Sequence, residues 1–152
     1  MLERGTGPRL DHAGLTVADL AAAEAWYCAA FGWERELVLR IDPLDLDIVM
    51  LIHREHGDRL ELLHRNGSSQ GARYPDPAGA ALSEGYGHIA FDVPDLDPTF
   101  DRVVALGARP VMTPRPSPEP GVRMAFVADP EGNLVELLER PRPIERPTTK
   151  GM

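Results

Sequence analysis

The chain repeats itself, and that restricts its fold more than any other feature. Leu10-Asp11-His12-Ala13-Gly14-Leu15-Thr16-Val17-Ala18-Asp19-Leu20 can be laid over Tyr86-Gly87-His88-Ile89-Ala90-Phe91-Asp92-Val93-Pro94-Asp95-Leu96 at an offset of 76. His12 then meets His88, Val17 meets Val93, Asp19 meets Asp95 and Leu20 meets Leu96. Phe31-Gly32 meets Leu106-Gly107, and Leu60-Glu61-Leu62-Leu63 meets Val135-Glu136-Leu137-Leu138, both at an offset of 75. One His and one Glu thus recur in the same order, as expected if one supersecondary unit is built twice.

Each half reads as β-α-β-β-β. In the first, a strand near residues 10–17 ends at Asp19, an N-cap whose side-chain oxygen can accept from first-turn amides. Leu20 to Phe31 is rich in helix formers, and Gly32 stops the helix where a left-handed residue is needed. Strands are expected near 33–40, 48–53 and 59–64, with turns at Asp42-Pro43 and His56-Gly57-Asp58. The second half copies this with a strand near 86–93, a helix near 97–106 stopped by Gly107, and strands near 108–112, 123–128 and 134–138. Asp129-Pro130-Glu131-Gly132-Asn133 is a strong turn signal before the last strand. Thr113 to Gly121 carries Pro at alternate places and is predicted to be an extended loop. The expected organisation is a first module over 8–65, a linker or flap over 66–85, a second module over 86–140 and a Pro-rich tail over 141–152.

A formal net charge of −8 at a pI near 5.0 leaves no electrostatic footprint for nucleic acid or anionic membranes. The single cysteine, Cys28, excludes an internal disulfide and a cysteine-rich zinc site. The longest apolar run, Ile48 to Ile52, is far short of the roughly 20 residues of a spanning helix. Met1 to Gly5 lacks the apolar core of a signal peptide. A cytoplasmic protein is expected.

Strand alternation decides where the repeated polar residues point. Ala13, Leu15 and Val17 share a helix-packing face, with His12, Gly14 and Thr16 opposite. Leu60 and Leu62 oppose Glu61 and Leu63. Ile89, Phe91 and Val93 oppose His88, Ala90 and Asp92, and Val135 and Leu137 oppose Glu136 and Leu138. All four repeated polar residues therefore lie opposite the helix-packing face, which lines a concave cavity if the sheets curl. Two imidazoles and two carboxylates converging there would hold a divalent zinc, iron, nickel, cobalt or manganese ion. Without a cation, burying Glu61 and Glu136 would be costly. The competing reading is that duplication preserved these residues for folding alone.

The segments Asp11 to Leu20, Trp26-Tyr27 through Phe31-Gly32-Trp33, Gly87 to Val93 and Phe126 to Leu137 resemble the vicinal oxygen chelate superfamily, which includes glyoxalases, bleomycin-resistance proteins and extradiol dioxygenases. The resemblance spans about Leu10 to Glu139. It implies an α+β fold of two tandem βαβββ modules forming a cupped mixed β-sheet around a metal cavity. By position, His12, Glu61, His88 and Glu136 match the four ligand positions of glyoxalase I-like members. Methylmalonyl-CoA epimerase-like members use a similar set, often with Gln where Glu61 stands.

What this implies is a metal-dependent isomerase, epimerase or lyase acting on a small molecule with vicinal oxygens. The metal would act as a Lewis acid while Glu136 removes a proton next to a carbonyl and Glu61 serves the opposite face. One alternative is an Fe(II) dioxygenase using His12, His88 and Glu136, with Tyr86 or His64 as weak acid–base candidates. Another is a binding or resistance protein for a small molecule, although the retained His and Glu pairs count against it. Family members often form homodimers, and a homodimer is expected here.

Other features have plain readings. His53 and His56 flank a turn and read as solvated surface histidines. Arg115 and Arg123 could hold an anionic substrate but read as solvated or structural. Trp26, Tyr27 and Trp33 read as core. Met50, Met124 and Phe126 are pocket candidates whose strand parity the sequence leaves open.

Overall fold

The computed structural model describes residues 6–142. The chain divides between Ala72 and Arg73 into two compact units. The first runs β1 (Ala13–Thr16), α1 (Leu20–Phe31), β2 (Glu34–Ile41), a single 3-10 turn (Asp42–Leu44), β3 (Leu46–Ile52) and β4 (Arg59–Arg65). The second opens with a short helix α2 (Pro77–Ala80) and continues β5 (Ile89–Asp92), α3 (Leu96–Ala105), β6 (Arg109–Pro116), β7 (Arg123–Ala128) and β8 (Leu134–Glu139). Each unit has one four-stranded mixed sheet, ordered β1-β4-β3-β2 and β5-β8-β7-β6. This is the βαβββ module, built twice.

The first helix forms as its sequence dictates. Asp19 caps it, accepting from the Ala22 amide at 2.9 Å. Gly32 ends it at φ 69°, where its N–H donates to the Cys28 carbonyl at 3.0 Å. Ala23, Trp26, Tyr27 and Ala30 are buried, a spacing that makes one helical stripe. This stripe meets β3 and β4, whose buried Val49, Leu51, Leu60 and Leu62 supply the other side of the core. Burying each of the large aliphatic side chains contributes about 1.5–3 kcal/mol. Trp33 is buried as well, stacked on Tyr27 at 6.3 Å.

The second unit repeats the plan with a different cap. The Asp95 side chain makes no capping bond; the Leu96 N–H donates instead to the Glu139 carboxylate at 2.6 Å. One strand end therefore fixes the start of the helix packed against it. Leu96, Phe100 and Val103 form the buried stripe, and Ala125, Val127, Val135 and Leu137 complete the core. The buried carboxylate of Asp129 builds the β7–β8 turn, accepting from the Glu131 N–H at 3.0 Å and the Asn133 N–H at 2.9 Å.

One expectation needs correction. Thr113 to Pro116 is not an extended loop but the second half of β6. β6 pairs with β7 and lies at the sheet edge, where proline is tolerated, and its register shifts twice, once on each side of Met112. The segment 66–85, expected as a linker or flap, includes the short helix α2. Asp76 caps α2, accepting from the Gly79 N–H at 2.7 Å, and Arg73 donates to the Glu131 carbonyl at 2.8 Å within the second unit. Most of the Pro-rich tail expected over 141–152 lies outside the described residues.

Candidate metal centre

The two units place their His and Glu in the same register. In the first, β1 and β4 run parallel with Gly14 beside Glu61. In the second, β5 and β8 run parallel with Ala90 beside Glu136. His12 and His88 each precede the residue beside the Glu by two places, so strand periodicity puts each imidazole on the face of its carboxylate. The structure brings both predicted pairs together. His88 Nε2 lies 3.0 Å from Glu136 Oε2, and His12 Nε2 lies 3.9 Å from Glu61 Oε2.

The donor geometry within each pair fits a cation. Nitrogen and oxygen ligands bound at about 2.0–2.2 Å to one ion stand roughly 3 Å apart. The second pair meets that separation as it stands, and the first is wider by about 1 Å, a difference within the reach of side-chain torsions. The Glu136 side chain is 15% exposed and that of Glu61 is 23% exposed. A carboxylate so far withdrawn from water needs a cationic or hydrogen-bonding partner.

The surroundings of the two histidines differ. His12 Nδ1 is 2.7 Å from Asp11 Oδ2. A neutral imidazole that donates from Nδ1 presents the lone pair of Nε2, the state a metal ligand needs. The hydrogen bond from His12 also holds the Asp11 carboxyl below its ordinary range. Arg59 extends this chain, its guanidinium 4.0 Å from Asp11 and bidentate to Glu36 at 2.7 and 2.8 Å. His88 has Gly87 where His12 has Asp11, and its ring instead packs edge-on against Phe126 at 5.2 Å. Sequence reasoning missed Asp11 as the residue that orients His12. The available signal was an acidic residue directly before a strand-edge histidine.

Register also settles the parity of the pocket candidates. Met50 is paired with Glu61, and Phe126 with Glu136. Directly opposite residues on antiparallel strands share a face, so Met50 and Phe126 lie beside the two carboxylates. Met124 is two residues from Phe126 and shares that face. Next in the rows come Leu37 beside Met50 and Met112 beside Phe126. The face holding each carboxylate is therefore apolar along the rest of its row.

Other candidates find structural partners. His64 Nδ1 lies 2.9 Å from the Val17 carbonyl and ties β4 to the start of the helix connection. Tyr86 is fully exposed. Arg123 pairs with Asp97 on α3, and Arg115 bonds Thr113 on its own strand.

Comparisons with known proteins agree with this architecture. A "Probable lactoylglutathione lyase" of Synechocystis sp. is 28% identical over 130 residues, covering 84% of this chain and 92% of that protein. A glyoxalase family protein from Bacillus cereus superposes with a TM-score of 0.72 at 20% identity, over 91% of this chain and 98% of that one. Glyoxalase I from Zea mays superposes with a TM-score of 0.70 at 23% identity. That match covers 88% of this chain and 45% of the maize chain, so this chain spans about half its length. The model of the Glyoxalase/Bleomycin resistance protein/Dioxygenase superfamily matches residues 9–137. With that match spanning both His–Glu pairs and most of the sequence, the chain belongs to this superfamily.

Proposed function

We propose that the chain is a divalent-metal-dependent isomerase or lyase of the glyoxalase I type, with His12, Glu61, His88 and Glu136 as its metal ligands. The observation that carries this reading is the doubled His–Glu register, which sets an imidazole and a carboxylate on one face in each unit. Similarity to a probable lactoylglutathione lyase supports it. The substrate is a small molecule with neighbouring oxygens. The apolar rows formed by Met50 with Leu37, and by Phe126 with Met112, suit an apolar remainder on that substrate.

When bound, the cation would supply Lewis-acid polarisation of a substrate carbonyl. Nickel, cobalt, zinc, manganese and iron all suit the donor set. Glu136 takes the proton from the carbon next to that carbonyl, and Glu61 serves the opposite face of the substrate. Asp11 keeps His12 in the tautomer that presents Nε2. Edge contact with Phe126 limits rotation of the His88 ring.

The test is metal analysis and turnover on the full chain, using the hemithioacetal of methylglyoxal and glutathione and following thioester absorbance. The expected result is bound divalent metal and turnover that both fall in Glu61→Ala. Glu136→Gln is expected to lower turnover by about 100-fold or more. Protein that holds no metal and takes none up would overturn the reading. Iron retained equally in Glu61→Ala, with oxygen consumption, would move the assignment to a dioxygenase using His12, His88 and Glu136.

A further inference from the structure

The turn joining β3 to β4 carries a second group of metal-ligating side chains. His53, Glu55 and His56 each place a ligand atom within 4.8 Å of the others. The His53 and His56 rings stack nearly parallel, 16° apart in plane and 4.5 Å between centroids. Imidazole lone pairs lie in the ring plane, so a shared ion requires the exposed His56 ring to turn out of this stack.

The turn holds these groups in place. His53 N–H donates to the Asp58 carbonyl at 2.9 Å, and Gly57 N–H donates to the His53 carbonyl at 2.7 Å. Gly57 takes φ 77°, which a side chain would resist. The His56 N–H lies 3.3 Å from His53 Nδ1. Nδ1 has a single in-plane lone pair, so an ion bound there would displace this long contact.

A separate observation points to positive charge at this spot. His53 Nε2 packs 3.6 Å from where a Cβ on Gly32 would stand, against the C-terminal end of α1. That end is the negative pole of the helix, and its last turn contains no basic residue. Nearby Arg54 is engaged by Glu34. Glu55 forms no ion pair among the described residues, which leaves its carboxylate to the cluster.

We propose that His53, Glu55 and His56 form a second metal site, taking a zinc, nickel or copper(II) ion, with water completing its coordination. Imidazole and carboxylate donors select this class of divalent cation. The site shares no residue with the pairs His12–Glu61 and His88–Glu136, and it does not depend on their assignment. Its exposure makes it a weaker site that exchanges with solvent.

The test is calorimetric titration of the full chain with zinc alone, in wild type, His56→Ala and the double variant His12→Ala/His88→Ala. The expected result is one equivalent missing from His56→Ala and retained in the double variant. Glu55→Gln is expected to weaken that equivalent by about tenfold. Nuclear magnetic resonance supplies an independent readout, with copper(II) broadening the His53 and His56 ring signals before those of His64. Unchanged stoichiometry in His56→Ala, or no zinc bound by the double variant, would overturn the proposal. Melting of His56→Ala at the wild-type temperature without metal would show that any loss of binding is not a loss of fold.

Discussion

Gly14 offers a sharp test of the first unit. It sits on β1 beside Glu61, and its place in the second unit is taken by Ala90, beside Glu136. A Cβ added at Gly14 would lie 3.6 Å from Glu61 Oε1 and 3.7 Å from Leu63 Cδ1, ordinary van der Waals contacts. The backbone at Gly14 is outside the left-handed region, so alanine adopts it without strain. Gly14→Ala should therefore act mainly on the unfolded chain, removing freedom that folding otherwise takes away. That stabilises by about 0.4–1 kcal/mol. In a protein of this size, 1 kcal/mol moves the thermal midpoint by about 2–4 °C, so the expected rise is roughly 1–4 °C. The assay is paired thermal and urea unfolding of metal-free protein, because bound metal would add its own stabilisation. Gly14→Val provides the contrast. Its two γ-methyls must enter the space beside Glu61, at an expected cost of about 1–3 kcal/mol. A drop of more than about 0.5 kcal/mol in Gly14→Ala would refute the stated spacing of Gly14, Glu61 and Leu63.

Two further outcomes follow from the geometry. Asp129→Ala removes a buried carboxylate that two turn amides share, and should cost on the order of 3 kcal/mol in urea unfolding. It should also lower metal content, because this turn sets the start of the strand carrying Glu136; unchanged stability and content would refute the argument. Asp11→Asn should weaken metal binding by about 10–100-fold in competition titrations, with the fold intact. The folded Asp11 carboxyl titrates below its ordinary value of 3.8, so its stabilising bond to His12 is complete above that pH and is lost as pH falls through the lower folded value. The difference in stability between wild type and Asn variant should therefore shrink below about pH 4.

Much of the fold was legible because local and tertiary signals agreed. Asp19 and Gly32 delimit α1 at the predicted residues, and the alternation of Leu60, Glu61, Leu62 and Leu63 places Glu61 as expected. Both His–Glu pairs were readable because duplication printed the spacing twice. The second half of β6 was not readable. Proline at every second place argues against a strand unless the strand lies at an edge, and strand order is a tertiary property. The role of Asp11 was also hidden. Its hydrogen bond to His12 depends on side-chain torsions, and Gly87 at the repeated position breaks the symmetry that revealed the rest. Asp95 repeats Asp19 in sequence but not in action, because Glu139, brought near by the sheet, takes the amide of Leu96.

The outermost strands β2 and β6 give the two sheets unequal tolerance of unfolding stress. Pro110, Pro114 and Pro116 on β6 offer no amide hydrogens, so an incoming chain cannot add itself there as a regular strand. β2 contains no proline and exposes Leu37, Val38, Leu39 and Ile41. It is the place where partly opened molecules would begin to aggregate, held in check by the charges of Glu34, Arg35, Glu36 and Arg40. Screening those charges with salt would expose that difference, since β2 relies on electrostatic gatekeepers and β6 on the absence of donors.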